Sequence, residues 1–216
     1  MSHTISIIGS TGLIGLEFLR SIAEGEYQKV TAITRRDIPS LSEKPFIHQA
    51  KHDFTDLEGM REDLKADVLV CTLGTTIKTA GSQKRFIEID HDIPVHLAKM
   101  ARGEGCRTFI LVSSMGADAG SKIFYSRVKG QLEEALKDVG FPQLHILRPS
   151  MLLGDRQESR RGEFIGKLIM EPLSFLIPWN YKPIQASTVA TKIHELIEVG
   201  EEGTYTWSGK ALFHKN

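Results

Sequence analysis

The chain has 216 residues, 41% of them hydrophobic, and 27 Lys plus Arg stand against 27 Asp plus Glu. That length and apolar content suit one domain with a real core. A net charge of zero excludes a whole-molecule field of the kind that draws nucleic acid or an anionic membrane.

Thr4 to Ile8 reads as a strand and ends in the run Gly9-Ser10-Thr11-Gly12-Leu13-Ile14-Gly15. It begins so near the N-terminus that no secretory leader is expected. No stretch approaches the ~18 apolar residues of a membrane span. A cytoplasmic protein is therefore expected. Leu13 to Ala23 carries Ile14, Phe18, Leu19 and Ile22 at helical spacing. Lys29 to Thr34 is a second strand, Pro45 to Ala50 a weaker third, and Asp56 to Leu64 a helix. Asp67 to Thr72 is a fourth strand, apolar enough to be buried on both faces as parallel strands are. After a loop from Gly74 to Gln83, Phe86 to Ala101 reads as a helix that Pro94 must open or kink. Thr108 to Ser113 is a fifth strand. Phe124 to Val139 is a helix with Phe124, Val128, Leu132, Ala135, Leu136 and Val139 on one face. Leu144 to Arg148 is a sixth strand. Gly154 to Gly162 follows as a charged loop, Phe164 to Ile177 and Thr188 to Val199 as helices, and Gly203 to Trp207 as a short strand. Cys71 and Cys106 lie in or beside apolar runs, outside CxxC or metal spacing, and read as reduced core thiols.

Strands alternating with helices predict an α/β fold, a Rossmann-type doubly wound parallel sheet. One domain is expected over residues 1–216, with about 150–216 as a small substrate-side extension. Ligands then lie beyond the carboxyl ends of the strands.

The glycines at 9, 12 and 15 follow a strand and open a helix, the context a dinucleotide-binding turn requires. Gly9 allows the tight turn, Gly12 lets backbone approach a pyrophosphate, and Gly15 lets helix and strand pack closely. The amides of Ser10, Thr11, Leu13 and Ile14 lie where the helix N-terminus favours phosphate. The second strand ends in Thr34-Arg35-Arg36, where an NAD site expects an acid. Arginine suits a 2′-phosphate, so NADP(H) is the expected cofactor and NAD(H) the lesser one. Asp53, beside Phe54, is placed either to accept from an adenine amino group or to serve as a helix N-cap or loop residue. Leu73-Gly74-Thr75 brings backbone near the adenosine ribose.

Tyr125 and Lys129 stand four apart on one helix and so share a face. An ammonium beside a phenol lowers its pKa from about 10, which suits proton exchange with a substrate oxygen. Ser113 and Ser114 end the fifth strand, where a hydroxyl can orient that oxygen. No metal site is expected, because His91, His96 and His194 lack partners at ligand spacing. Lys78 reads as a solvated loop lysine.

The motifs Gly9 to Gly15, Ser113-Ser114-Met115-Gly116-Ala117, Tyr125-Ser126-Arg127-Val128-Lys129 and Leu147-Arg148-Pro149-Ser150 resemble those of the short-chain dehydrogenase/reductase superfamily over nearly the whole chain. The resemblance implies a Ser–Tyr–Lys triad of Ser114, Tyr125 and Lys129. It also implies nicotinamide-side contacts from Ser113, Arg148, Pro149, Ser150 and Leu152. Leu73-Gly74-Thr75-Thr76, Tyr125 to Gly130 and Gly154 to Arg160 are similar to the atypical group containing the Tat-interacting protein, whose members bind NADPH. That implies an NADP(H)-dependent oxidoreductase acting on a carbonyl or alcohol. The same likeness leaves room for a cofactor-binding regulatory protein with little turnover, and more distantly for an epimerase that retains its cofactor. The substrate is an unidentified small molecule, and the chain is a monomer or homodimer with scope for a protein partner. One departure is Asp90, which stands where many members carry a helix asparagine that organises a relay water. Arg156 and Arg160 can meet a carboxylate or pair within their loop. Phe164 to Trp179 supplies core, pocket lining or a dimer surface.

Overall fold

Period-two alternation divides the strands between two cores. In β1 (Thr4–Ile8), Ile5 and Ile7 face one side and Ile8 the other. In β4 (Val68–Cys71), Val68 and Val70 join the first side while Leu69 and Cys71 join the second. The computed structural model describes residues 3–153 and 183–213. Their strands build one parallel seven-stranded sheet in the order β3-β2-β1-β4-β5-β6-β9. Its remaining strands are β2 (Lys29–Thr34), β3 (Ile47–Lys51), β5 (Thr108–Val112), β6 (Gln143–Arg148) and β9 (Gly203–Ser208). Order reverses between β1 and β4, the switch point at which a crevice opens. A short parallel pair, β7 (Leu152–Leu153) with β8 (Ile184–Gln185), stands apart from the sheet.

On one face α1 (Leu13–Ser21) packs beside α6 (Ala186–Val199). Phe18, Leu19, Val189, Ile193 and Leu196 fill the space beneath them. On the other face lie α4 (Ile93–Gly103) and α5 (Phe124–Val139), where Leu97, Leu132 and Leu136 meet Phe109, Leu111 and Ile146. This is the doubly wound α/β sheet expected, with β9 as a seventh strand. Cys71 and Cys106 are free and buried, and burial pushes their thiols up to about 11 and about 12.

Three local expectations are corrected. Residues 58–64 form a 3-10 helix, Glu58–Leu64, short of the expected α-helix. The helix expected over 86–101 is broken into α3 (Gln83–Ile87), a π-helical turn (Glu88–Asp92) and α4. Pro94 stands near the start of α4 and has no N–H to give the Asp90 carbonyl four residues back. The ladder widens there, as π turns do. The loop after β4 contains a short helix, α2 (Ile77–Ala80). The expected 154–162 loop and 164–177 helix lie outside the described residues. Among the described residues no helix is long and apolar enough to cross a membrane.

Candidate functional site

The glycine turn closes against β4. Gly9 has φ +85, and a Cβ there would sit 2.5 Å from Leu73 N. At Gly15 a Cβ would sit 2.5 Å from Gly9 O and 2.6 Å from Thr72 Oγ1. Thr72 Oγ1 also donates to Gly9 O at 3.0 Å. Gly12 is different. It is exposed, and beyond Gly9 O at 3.2 Å a Cβ would meet little. Gly12 caps α1 with no side-chain hydrogen bond, and the first turn holds no acidic residue. Helix geometry leaves the Leu13 and Ile14 amides without intrahelical acceptors. Amides without intrahelical acceptors under an uncapped helix end, beside the exposed Gly12 with no side chain in the way, fit a pyrophosphate. Thr11 is exposed, whereas the Ser10 side chain turns inward and donates to Ile7 O and Ile33 O. Ser10 therefore offers a ligand only its backbone.

Arg35 and Arg36 are both exposed at the end of β2 and form no ion pair among the described residues. Thr34 Oγ1 donates to Arg36 O at 2.8 Å and fixes the turn between them. Asp53 is also exposed, and its Oδ1 accepts from Thr55 N at 2.9 Å and Thr55 Oγ1 at 2.6 Å. Those bonds hold its carboxyl below the usual carboxylate range. Asp53 thus shapes its own loop, the plainer of its two expected roles. Phe54, at φ 67, turns back onto the α4/α5-side core.

Beyond β4 the backbone runs over a buried ion pair. Lys129 Nζ lies 2.7 Å from Asp90 Oδ1, with side-chain exposures of 4% and 0%. The two are close as charges, though not aligned as a hydrogen bond. Asp90 Oδ2 accepts the Thr75 amide at 2.8 Å. A Cβ on Gly74 would lie 3.4 Å from both Asp90 Oδ1 and Lys129 Nζ, so backbone lies directly on the pair. Leu73 packs against the core below. Burial pushes the Asp90 carboxyl up, and Lys129 and the Thr75 amide oppose that rise.

The two serines part company. Ser113 Oγ donates to Glu133 Oε1 at 2.5 Å. Arg148 Nε donates to Glu133 at 3.0 and 3.1 Å, and its Nη2 also meets Oε2. Ser113, Glu133 and Arg148 are therefore a structural knot tying α5 to the ends of β5 and β6. The Ser113 and Arg148 side chains are engaged in it, and the cofactor contact expected of the segment after β6 is one through backbone. Glu133 was not singled out from sequence, although it lies one helical turn beyond Lys129. Ser114 Oγ is buried and has no hydrogen-bond partner among the described residues. Its loop is pressed onto the first turn of α5: Asp118 N donates to Ser126 O at 3.0 Å, and a Cβ on Gly130 would collide with the Asp118–Ala119 backbone.

Tyr125 is half-buried in that first turn, its ring centroid 5.6 Å from that of Phe86. Its hydroxyl has no partner among the described residues. Pro149 O accepts the Met115 amide at 2.9 Å, linking the β6 exit to the Ser114 loop. Ser150 and Leu152 follow, both half-buried. Lys78 is exposed in α2. His91 meets Asp92, His96 meets Glu58, and His194 meets Tyr27 and Ser21. Among the described residues no group of His, Cys, Asp and Glu is arranged for a metal. A cavity of about 390 Å³ lies by Glu26, Tyr27 and His194, apart from all these groups. Arg156 and Arg160 lie outside the described residues.

A switch-point glycine turn, a serine at the end of β5 and a tyrosine and lysine one turn apart on α5 stand on one Rossmann-type sheet, an arrangement similar to that of the short-chain dehydrogenases/reductases. The chain belongs to the HIM1 family, whose model matches residues 47–174. It is 32% identical to HTATIP2 of Rattus norvegicus over 99% of this chain and 89% of that protein. It is 34% identical to the mitochondrial protein fmp52 of Emericella nidulans over 76% of this chain and 72% of that one. Among solved structures it is similar to the Bordetella bronchiseptica enzyme WbmG in complex with NAD, with TM-score 0.74 and 13% identity over 96% of this chain and 73% of that one. It is also similar to the UDP-Glc/GlcNAc 4-epimerase of Campylobacter jejuni, with TM-score 0.71 and 16% identity over 99% and 82%. At such identities the likeness is one of fold. The fungal FMP52 relatives are mitochondrial by name, which overturns the cytoplasmic expectation. Charge and hydropathy do not encode a compartment.

Proposed function

We propose that the chain is an NADP(H)-dependent oxidoreductase acting on a small carbonyl or alcohol. The observation that carries the reading is the Ser114 hydroxyl, buried and without a partner beside the turn that bears Tyr125. A buried hydroxyl left unmatched costs about 1–3 kcal/mol, and a substrate oxygen satisfies it. When bound, the nicotinamide dinucleotide supplies or accepts the hydride. Ser114 Oγ orients the substrate oxygen. The Tyr125 hydroxyl gives or takes that oxygen's proton. Lys129 biases the phenol from within the buried pair, and the Leu73-Gly74-Thr75 backbone keeps it covered from water. The amides of Thr11, Leu13 and Ile14 hold the pyrophosphate, and the exposed Arg35 and Arg36 receive a 2′-phosphate. NAD-bound neighbours of the same fold support a nicotinamide dinucleotide, and the arginines favour its phosphorylated form.

A second reading, a cofactor-sensing protein, is favoured by one observation: Lys129 is already engaged by Asp90. One experiment separates the two. Fluorescence titration is expected to show NADPH binding at least tenfold tighter than NADH, a preference lost in Arg35→Ala/Arg36→Ala. NADPH oxidation is then followed across aldehydes, ketones and quinones. Tyr125→Phe is expected to abolish turnover and leave NADPH affinity within about twofold. Equal binding of NADH and NADPH overturns the cofactor assignment. Tight NADPH binding with no turnover across the panel favours the sensor.

A further inference from the structure

Lys129 stands one helical turn from Tyr125, the position from which an ammonium favours a phenolate. Here that ammonium is not alone. Asp90 Oδ1 lies 2.7 Å away, and both side chains are almost wholly removed from water. At that distance carboxylate and ammonium present a dipole to their surroundings, and a dipole's field falls off faster than that of a net charge. The carboxylate is also fixed from its far side, since its other oxygen accepts the Thr75 amide at 2.8 Å. The π turn at Glu88–Asp92 carries Asp90 to this place, and Gly74 lies over the pair without a side chain.

We propose that Asp90 is a positioning residue that sets how much of the Lys129 charge reaches the Tyr125 phenol, and that its bond to Thr75 ties this setting to the backbone after β4. The proposal rests on the oxidoreductase reading for its use in catalysis, but its electrostatics belong to the cofactor-free protein. The groups facing the pair are few. Cys71 reaches it from β4, with its thiol pushed up to about 11 and so neutral. Thr75 meets it from the loop, and Tyr125 shares the α5 face. Glu133, one turn further along α5, is held by Arg148 and Ser113. Neighbouring His91 and Asp92 pair with each other nearer the surface. Without Lys129, burial would leave the Asp90 carboxyl protonated.

The test is phenolate absorbance against pH without cofactor or substrate, using Tyr125→Phe to subtract the other three tyrosines of the chain. Asp90→Asn keeps the shape and an acceptor for Thr75 but removes the negative charge, so the Tyr125 midpoint is expected to fall by about one pH unit. Lys129→Met is expected to move the midpoint by less than about half a unit, because its loss also neutralises Asp90. Adding Asp90→Asn to Lys129→Met is expected to change nothing further. An unchanged midpoint in Asp90→Asn overturns the proposal. So does a rise of two units in Lys129→Met, which remains readable if Asp90→Asn does not fold. NADPH titration of the same proteins reads the second half. Asp90→Ala, which loses the Thr75 bond, is expected to bind about tenfold more weakly, and Asp90→Asn within about twofold of the parent. Equal affinities for the two variants overturn the tie to the loop. Failure of the parent to bind NADPH would sink the oxidoreductase reading and leave the phenol titration standing.

Discussion

Ser113 and Ser114 are adjacent, chemically identical and opposite in expectation. Ser113→Ala removes a buried hydrogen bond to the Glu133 carboxylate. A bond of that kind to a charged group contributes about 1.5–3 kcal/mol, and part of it survives because Arg148 still holds Glu133. A loss of about 2 kcal/mol is expected. With a urea slope of about 2–3 kcal/mol/M for a chain of this size, the midpoint falls by roughly 0.7–1 M. Ser114→Ala removes a buried hydroxyl that has no partner among the described residues. No bond is lost and an unmatched polar group is relieved, so stability is expected to stay within about 0.5 kcal/mol of the parent or to rise. Function is expected to move the other way. Ser114→Ala loses turnover by about 100-fold or more, as for removal of a group that holds the reacting oxygen. Ser113→Ala retains turnover per folded molecule. Urea unfolding followed by tryptophan fluorescence, with NADPH oxidation on the same samples, reads both. If Ser114→Ala destabilises as much as Ser113→Ala, or if Ser113→Ala is the inactive one, the division between structural and functional serine is refuted.

Two further outcomes follow from buried groups. His145 in β6 is buried against Tyr205 and Trp207, and burial, with Lys192 nearby, pushes its imidazole down to about 4 from 6.5. A depressed histidine is neutral in the fold, so its contribution is whole above pH 6.5 and is lost as pH falls toward 4; that gap corresponds to ~3 kcal/mol at most. Urea midpoints at pH 7.5 and 5 are expected to differ less in His145→Gln than in the parent, and an unchanged difference refutes this. Gly130→Ala drives a Cβ into the Asp118–Ala119 backbone, which cannot yield as a side chain can. A loss of about 3 kcal/mol or more is expected by thermal melting, and a melting temperature within 2–3 °C of the parent would contradict the packing.

Much of the fold was legible from local pattern. The strand, glycine turn and helix at residues 4–21 follow from period-two and helical spacing around Gly9, Gly12 and Gly15, signals that survive without tertiary context. The 88–92 π turn was half legible. Pro94 announced a break, but the local chain does not say whether a proline opens, kinks or widens a helix. The site was legible as a set of residue types and less so as partners. Lys129 was expected one helical turn from Tyr125, and its ion pair with Asp90, thirty-nine residues away in sequence, was not foreseen. Arg148 was expected near a cofactor through the backbone of its segment, and the ion pair of its side chain with Glu133 was not foreseen. Asp53 offered two roles, and its bonds to Thr55 supply the plainer one.

By itself the sequence determined the class. Alternating strands and helices, a switch-point glycine turn and a Tyr–Lys pair at helical spacing are properties of neighbours along the chain, set by backbone sterics and periodicity. Tertiary structure alone decided which charges cancel and which hydroxyl stays free. Ser113 faces Glu133 and Ser114 does not, and Asp90 meets Lys129 only because the sheet order brings β4, the π turn and α5 together. The physical reason is range. Steric preferences act between residues close in sequence, whereas ion pairing and burial act through space, on distances that exist only once the chain has folded.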